Sequence, residues 1–202
     1  VSHDMRTPLN AVIGLADLAC REDSIPDKVR DYLEKIRHSG KQLLTLVNDI
    51  LDMSRIEHGE KTELDYAPMD LYKCVEDCVS MFREQAAQEG KTLEITADGS
   101  DYSVMCDQFR LSQVLNNLIS NAMKYSMAQA VITVSVARTA VQKNMGKYQI
   151  VIKDTGIGMS QEFLEKIFEP FARETTFAPT KVSGTGLGMP IVKSLVQQMS
   201  GE

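Results

Sequence analysis

Tyr148-Gln149-Ile150-Val151-Ile152-Lys153-Asp154-Thr155-Gly156-Ile157-Gly158-Met159 is the stretch on which the fold turns. Tyr148, Ile150 and Ile152 alternate with Gln149 and Lys153, the period of a half-buried strand. Asp154 shares the parity of Ile150 and Ile152, so the pleat aims its carboxylate at the buried face. A carboxylate buried without a partner is strongly unfavourable. An adenine amino group would satisfy it, and Gly156 and Gly158 remove side chains where a base would lie against backbone. A tight turn with a solvated Asp is the other reading; two glycines together with an inward acid favour a site.

Outward from this strand, Ile132, Val134 and Val136 alternate with Thr133 and Ser135 as a second strand, and the polar stretch with Asn144 and Gly146 turns the chain between the two. Further strands are predicted at 91–97 and 102–106. Asp70 caps a helix running to about Gln88 and stopped by Gly90; Asp107 caps another over 108–125. A short helix falls near 161–168, and a last one starts near Leu187 with Pro190 in its first turn. Strands mixed with helices make this half an α/β layer fold, a mixed sheet with helices on a face. Residues 59–69 read as a linker.

The first 58 residues read as helix, loop, helix. Leu9, Val12, Ile13, Ala16 and Ala19 recur at helical spacing, and the polar stretch 21–27 with Pro26 breaks the pattern. Val29, Leu33, Ile36, Gly40, Leu43, Val47 and Ile50 then form a heptad seam, on which Gly40 allows close approach. Two such helices cannot cover their apolar faces alone, and pairing two copies into a four-helix bundle is the simplest remedy.

Three more constellations carry chemistry. In Ser2-His3-Asp4-Met5-Arg6-Thr7-Pro8-Leu9-Asn10, a continuous helix would put His3 and Thr7 on one face with Asp4 beside the imidazole; alternatively Thr7 is an N-cap and Pro8 the first helical residue. On helix 108–125, Leu111, Leu115, Leu118, Ala122 and Tyr125 form the apolar stripe, while Asn117, Asn121 and Lys124 form a second, polar stripe. Amide oxygens at this spacing can complete a Mg²⁺ shell that triphosphate oxygens mostly fill, although a solvated face has the same composition. Gly184-Thr185-Gly186-Leu187-Gly188-Met189 opens the last helix as a phosphate cradle without a Walker A or dinucleotide fingerprint.

Composition narrows the function. The chain has 202 residues, is 43% hydrophobic and 25% charged, and carries a net charge of −6. It lacks the basic stripe expected of a nucleic-acid binder. No apolar run approaches a membrane span, and without a basic-plus-apolar opening no secretory signal is expected. Cys20, Cys74, Cys78 and Cys106 show no CxxC spacing and suit a reducing cytosol; Cys74 and Cys78 are read as core thiols and not as metal ligands. The opening Val1-Ser2 suggests an excerpt of something longer.

In this order, SHDMRTPLN (2–10), NNLISNAMKYS (116–126), DTGIGM (154–159), FEPF (168–171) and GTGLGM (184–189) resemble the H, N, G1, F and G2 boxes of bacterial sensor histidine kinases. Asp107, Arg110, Leu111 and Gln113 match the run before the N box, and the resemblance covers almost the whole chain. It implies an α+β chain: a helical hairpin at 1–58 forming a dimeric four-helix bundle, a linker at 59–69, and an α/β sandwich of the Bergerat type at 70–202 whose two further strands are missing. It implies that His3 is phosphorylated from ATP and passes the phosphoryl group to an aspartate of a response-regulator receiver domain. Asp4 stands where the family more often has Glu, and Thr7 is where relatives hold a water for dephosphorylating the regulator. Asn121 would bind Mg²⁺, Asn117 and Lys124 would line the phosphates, and Asp154 would bind adenine. Tyr125, Gly156, Gly158, Phe168, Phe171, Gly184, Thr185, Gly186, Leu187 and Gly188 would complete the ATP site, with 159–184 as a mobile lid hinged at the F box. Hydrolytic clamps such as gyrase share this nucleotide fold but place a Glu one turn before the Mg²⁺ ligand; Asn117 here cannot act as a base for water. The expected partners are a second copy and a receiver domain, with no nucleic acid and no membrane contact. The fragment is expected to be cytoplasmic, its parent held at the inner membrane.

Overall fold

The computed structural model describes residues 2–22, 24–57, 63–99, 101–142, 145–174, 177 and 184–202. The chain divides into two units, Val1–Glu60 and Lys61–Glu202.

The first unit is a pair of helices, α1 (Ser2–Cys20) and α2 (Asp27–Glu57). α1 runs unbroken through Pro8, so Thr7 is not an N-cap and stands inside the helix, one turn after His3. The end of α1 is capped from α2: the Arg30 guanidinium donates to the carbonyls of Cys20 and Glu22, placing a cation on exposed helix-end oxygens. The helices meet at Gly40, where a Cβ would lie 2.8 Å from Ile13 Cγ1. Ile13, Ala16 and Val47 are buried around this point. Arg37 pairs with Asp17 at 3.3 Å and Arg6 donates to Asn48 Oδ1 at 2.7 Å, tying the helices along their length. The heptad seam splits in two. Gly40 and Val47 are buried and Leu33 is half-buried, while Val29, Ile36, Leu43 and Ile50 are exposed.

The second unit is built on a three-stranded sheet of order β2 (Thr92–Asp98), β4 (Val131–Gln142), β5 (Met145–Asp154). β2 and β4 are parallel, so the chain must cross over between them, and helix α4 (Gln108–Tyr125) lies in that crossover. β4 and β5 are antiparallel and joined at 143–144, so Asn144 lies outside the described residues and Gly146 pairs with Val141 inside the ladder. One face of the sheet is covered: Ile132, Val134 and Val136 on the central strand are buried against α3 (Leu71–Gln88) and α4, in one cluster with Cys74, Val75, Val79, Leu115, Ile119 and Met123. Each such side chain contributes roughly 1.5–3 kcal/mol through the apolar surface it removes from water.

Both expected caps hold. Asp70 accepts from the Lys73 N–H at 3.0 Å and Asp107 from the Arg110 N–H at 2.9 Å. α3 stops at Gly90, whose φ of +65° suits a residue without Cβ. Three expectations are corrected. The end of the expected linker, 67–69, is strand: β1 (Ala67–Asp70) pairs antiparallel with β3 (Ser103–Cys106) in a separate two-stranded sheet. The apolar stripe of α4, which packs on α3, the sheet and α6 (Gly188–Gln198), comprises Leu111, Val114, Leu115, Ile119, Ala122 and Met123; Leu118 and Tyr125 are only half-buried. The short helix α5 (Gln161–Lys166) ends at Lys166 rather than 168. Cys74 and Cys78 are buried core thiols as expected; Cys74 Sγ lies 3.5 Å from Ser112 Oγ, and no metal-binding cluster of His, Cys, Asp or Glu occurs among the described residues.

Candidate functional site

The last turn of α4 and the polar stripe leading to it organise the site. At the helix end, the turn after β5 presses on Tyr125. The Ile157 N–H donates to the Tyr125 carbonyl at 3.1 Å. A Cβ on Gly156 would lie 2.5 Å from that carbonyl oxygen, 2.6 Å from Asp154 Oδ1 and 3.1 Å from Ser126 Oγ, so only glycine fits. Gly158 has a different requirement: its φ is +72° and nothing lies within 4 Å of its missing Cβ. The glycines of this turn therefore answer first to the protein's own backbone. Asp154 is also corrected. It has the parity of the half-buried Ile150 and Ile152, but the strand ends there and the residue is exposed at the rim of the covered face. One carboxylate oxygen accepts from the Gly156 N–H at 2.9 Å.

Along the helix, Asn117, Asn121 and Lys124 are half-buried, not a solvated face. The glycine loop lies against them. A Cβ on Gly184 would run into Lys124 Nζ, and one on Gly188 would lie 3.4 Å from Asn117 Oδ1. Burial, with the nearby charge of Arg173, pulls the Lys124 ammonium below the usual lysine range; burial pushes the Tyr125 hydroxyl up. Lys124 Nζ sits 5.1 Å from the Tyr125 ring centroid. The Leu187 N–H donates to Thr185 Oγ1 at 3.0 Å, shaping the loop just before α6. Leu187 is buried and offers α6 no side-chain cap.

Gly186 closes the loop on the F box. Its φ is +72°, and a Cβ there would lie 2.7 Å from Phe171 Cα; the Phe171 N–H donates to the Gly186 carbonyl at 3.0 Å. Phe171 itself has a φ of +64°, a left-handed conformation uncommon for a bulky residue. Phe168 stands apart from this contact, with Lys193 Nζ 5.1 Å from its ring centroid. Sequence reasoning passed over two neighbours. Arg173 acts electrostatically on Lys124 and Tyr125. Glu174 is buried and accepts from the Ser160 N–H at 2.7 Å and the Phe177 N–H at 3.4 Å. Nothing in a polar charged stretch distinguishes such a pair from a solvated one. Of the expected lid at 159–184, residues 175–176 and 178–183 lie outside the described residues.

Site residues thus gather in two groups on one helix: Tyr125, Asp154 and Gly156 at its end, and Asn117, Lys124, Gly184 and Gly188 along its side, with Asn121 on the stripe between. His3 lies in the helical start of α1 and Thr7 is exposed one turn on; the side chains of His3 and Asp4 lie outside those described.

Fold and site define a two-part protein, a helical hairpin followed by an α/β domain in which glycine turns lie against a polar stripe of α4. Residues 1–59 match the His Kinase A (phospho-acceptor) domain, and residues 106–202 match the Histidine kinase-, DNA gyrase B-, and HSP90-like ATPase. Hybrid signal transduction histidine kinase A of Dictyostelium discoideum is 34% identical over 100% of this chain, which spans 10% of that protein. The autoinducer 2 sensor kinase/phosphatase LuxQ of Vibrio vulnificus is 34% identical over 100% of the chain and 24% of its own length. The crystal structure of full-length ShkA in complex with AMPPNP is 30% identical with a TM-score of 0.75, covering 98% of this chain and 40% of ShkA. The chain belongs to the histidine kinase family, and it spans well under half the length of these relatives.

Proposed function

We propose that this chain is the kinase core of a two-component sensor. It phosphorylates His3 from ATP and passes the phosphoryl group to an aspartate of a response-regulator receiver domain, with Thr7 serving regulator dephosphorylation. The observation that carries this is the gathering of Asn117, Lys124 and the glycines at 184 and 188 beside α4, with Asp154 and Gly156 at its end. This arrangement fits a purine nucleotide. Asp154 offers a carboxylate oxygen at the rim for an amine, and glycines leave backbone exposed beside a half-buried ammonium. Bound ATP would supply the phosphoryl group, with Mg²⁺ neutralising charge on its oxygens. Asn121 is the residue to hold Mg²⁺ through its amide oxygen. Lys124 and Arg173 bring positive charge to the phosphates, and Phe168, Phe171, Gly158, Thr185, Gly186 and Leu187 shape the site around them.

His3 attacks through a ring nitrogen: a phosphorus–nitrogen bond forms, the bond to the leaving ADP oxygen breaks, and the imidazole proton passes to Asp4. Asn117 has no basic oxygen to activate water, which favours the histidine as nucleophile. A second copy of the chain completes the four-helix bundle. Leu15 and Leu18 on α1 are 67% and 62% exposed, and Leu43 and Ile50 on α2 are 51% and 52% exposed, leaving an apolar face to cover. None of the described helices is long and apolar enough to cross a membrane. In this reading the core works in the cytoplasm, where ATP and receiver domains meet it, and other segments of its parent hold it at the inner membrane. Incubation with Mg²⁺ and radiolabelled ATP should give an acid-labile, base-stable label at His3. Full labelling of His3→Gln would refute the assignment.

A further inference from the structure

We infer that Ser126 is a base-reading residue, its hydroxyl donating to a purine ring nitrogen that flanks the amino group taken by Asp154. The inference rests on the nucleotide-binding reading above. Ser126 is the residue on which the chain leaves α4, with φ −101° and ψ 144°, and it is 7% exposed. Its Oγ is buried and has no hydrogen-bond partner among the described residues. Buried hydroxyls are rarely left this way, so an orphaned one beside the Asp154–Gly156 turn points to a partner from outside the protein. The surroundings say which kind. Ser126 Oγ, Asp154 Oδ1 and the Tyr125 carbonyl oxygen all crowd the missing Cβ of Gly156, at 3.1, 2.6 and 2.5 Å. The other two oxygens already receive backbone donors, from Gly156 at 2.9 Å and Ile157 at 3.1 Å. Ser126 is the group at this turn with an unmet donor.

A carboxylate next to a hydroxyl donor complements a 6-aminopurine. The amine donates to the carboxylate, and the ring nitrogens on either side of it, N1 and N7, are acceptors for the hydroxyl. A 6-oxopurine turns an acceptor toward Asp154 instead. Ser126 thus adds a second point of recognition and fixes the ring's orientation in its plane, which a carboxylate alone cannot do.

Calorimetric titration of the full chain with ATP, 1-deaza-ATP and 7-deaza-ATP tests this, for the wild type and for Ser126→Ala. The variant should lose about tenfold in ATP affinity, equivalent to ~1.4 kcal/mol. One of the two deaza analogues should lose about tenfold against the wild type and nothing further against Ser126→Ala. Without nucleotide, the variant should melt at or above the wild-type temperature, because no bond within the protein is lost. Unchanged ATP affinity, an equal loss for ATP and both analogues, or a lower melting temperature without nucleotide would each overturn the inference. Wild-type chain that fails to bind ATP would instead overturn the nucleotide reading itself.

Discussion

Gly156→Ala probes the packing of the turn after β5 on the end of α4. The new methyl carbon would come 2.5 Å from the Tyr125 carbonyl oxygen and 2.6 Å from Asp154 Oδ1. Both distances are well inside van der Waals contact, which is ~3.5 Å or more between heavy atoms. The Asp154 oxygen can swing aside. The Tyr125 oxygen cannot: it is backbone at the end of α4, and it receives the Ile157 N–H at 3.1 Å. The turn must therefore move off the helix and give up that bond. Overpacking of this kind costs about 1–3 kcal/mol, and the lost hydrogen bond adds about 1 kcal/mol. With about 3 °C of melting temperature per kcal/mol for a unit of this size, the variant should melt roughly 6–12 °C lower. Gly158→Ala is the control. It has a φ of +72° but open space around the missing Cβ, so only the left-handed backbone is penalised, about 1–2 kcal/mol or roughly 3–6 °C. Circular-dichroism melts of the two variants, paired with ATP titrations, give the comparison. Gly156→Ala should be the less stable and should lose nucleotide affinity more. If it melts at or above Gly158→Ala, the close approach of the turn to α4 is not what fixes glycine at 156.

Asp107→Ala removes both the α4 cap to Arg110 and the bond from the Asp65 N–H at 3.0 Å, and should lower stability to chemical denaturation by about 2–3 kcal/mol; an unchanged midpoint would mean the two bonds add nothing. Gly184→Ala displaces only the flexible tip of Lys124, so melting should hold while ATP affinity falls several-fold; wild-type affinity would remove Lys124 from the phosphates. Asn117→Glu should sharply reduce His3 labelling, either by repelling triphosphate, a few kcal/mol at an effective dielectric of ~20, or by diverting the reaction to water. Measuring label and released phosphate together separates these routes, and labelling at the wild-type rate would show that Asn117 does not face the phosphates.

What could be read from the residues alone follows how local the determining forces are. The caps Asp70 and Asp107, the stop at Gly90 and the alternation through Ile132, Val134 and Val136 are set by neighbours a few residues away, and all are found where expected. β1 escaped because four residues containing Pro68 carry no alternation; it is a strand only because β3, more than 30 residues on, offers the partner. In the candidate site, the structure gives reasons for particular residues that the sequence does not carry. Gly156 is dictated by the Tyr125 carbonyl, which is distant in sequence, and Glu174 is buried by two backbone donors that no composition reveals. The heptad seam on α2 shows the same boundary from the other side. A seven-residue repeat states that two rows of apolar residues exist, not that both face the same neighbour. Within the hairpin only the row through Leu33, Gly40 and Val47 turns toward α1, where the missing side chain at 40 lets Ile13 in. The row through Val29, Ile36, Leu43 and Ile50 remains exposed at the same spacing. A hairpin that needed only itself would have no use for that second row, so its regularity supports the proposal that α2 meets two helices, one from its own chain and one from a second copy.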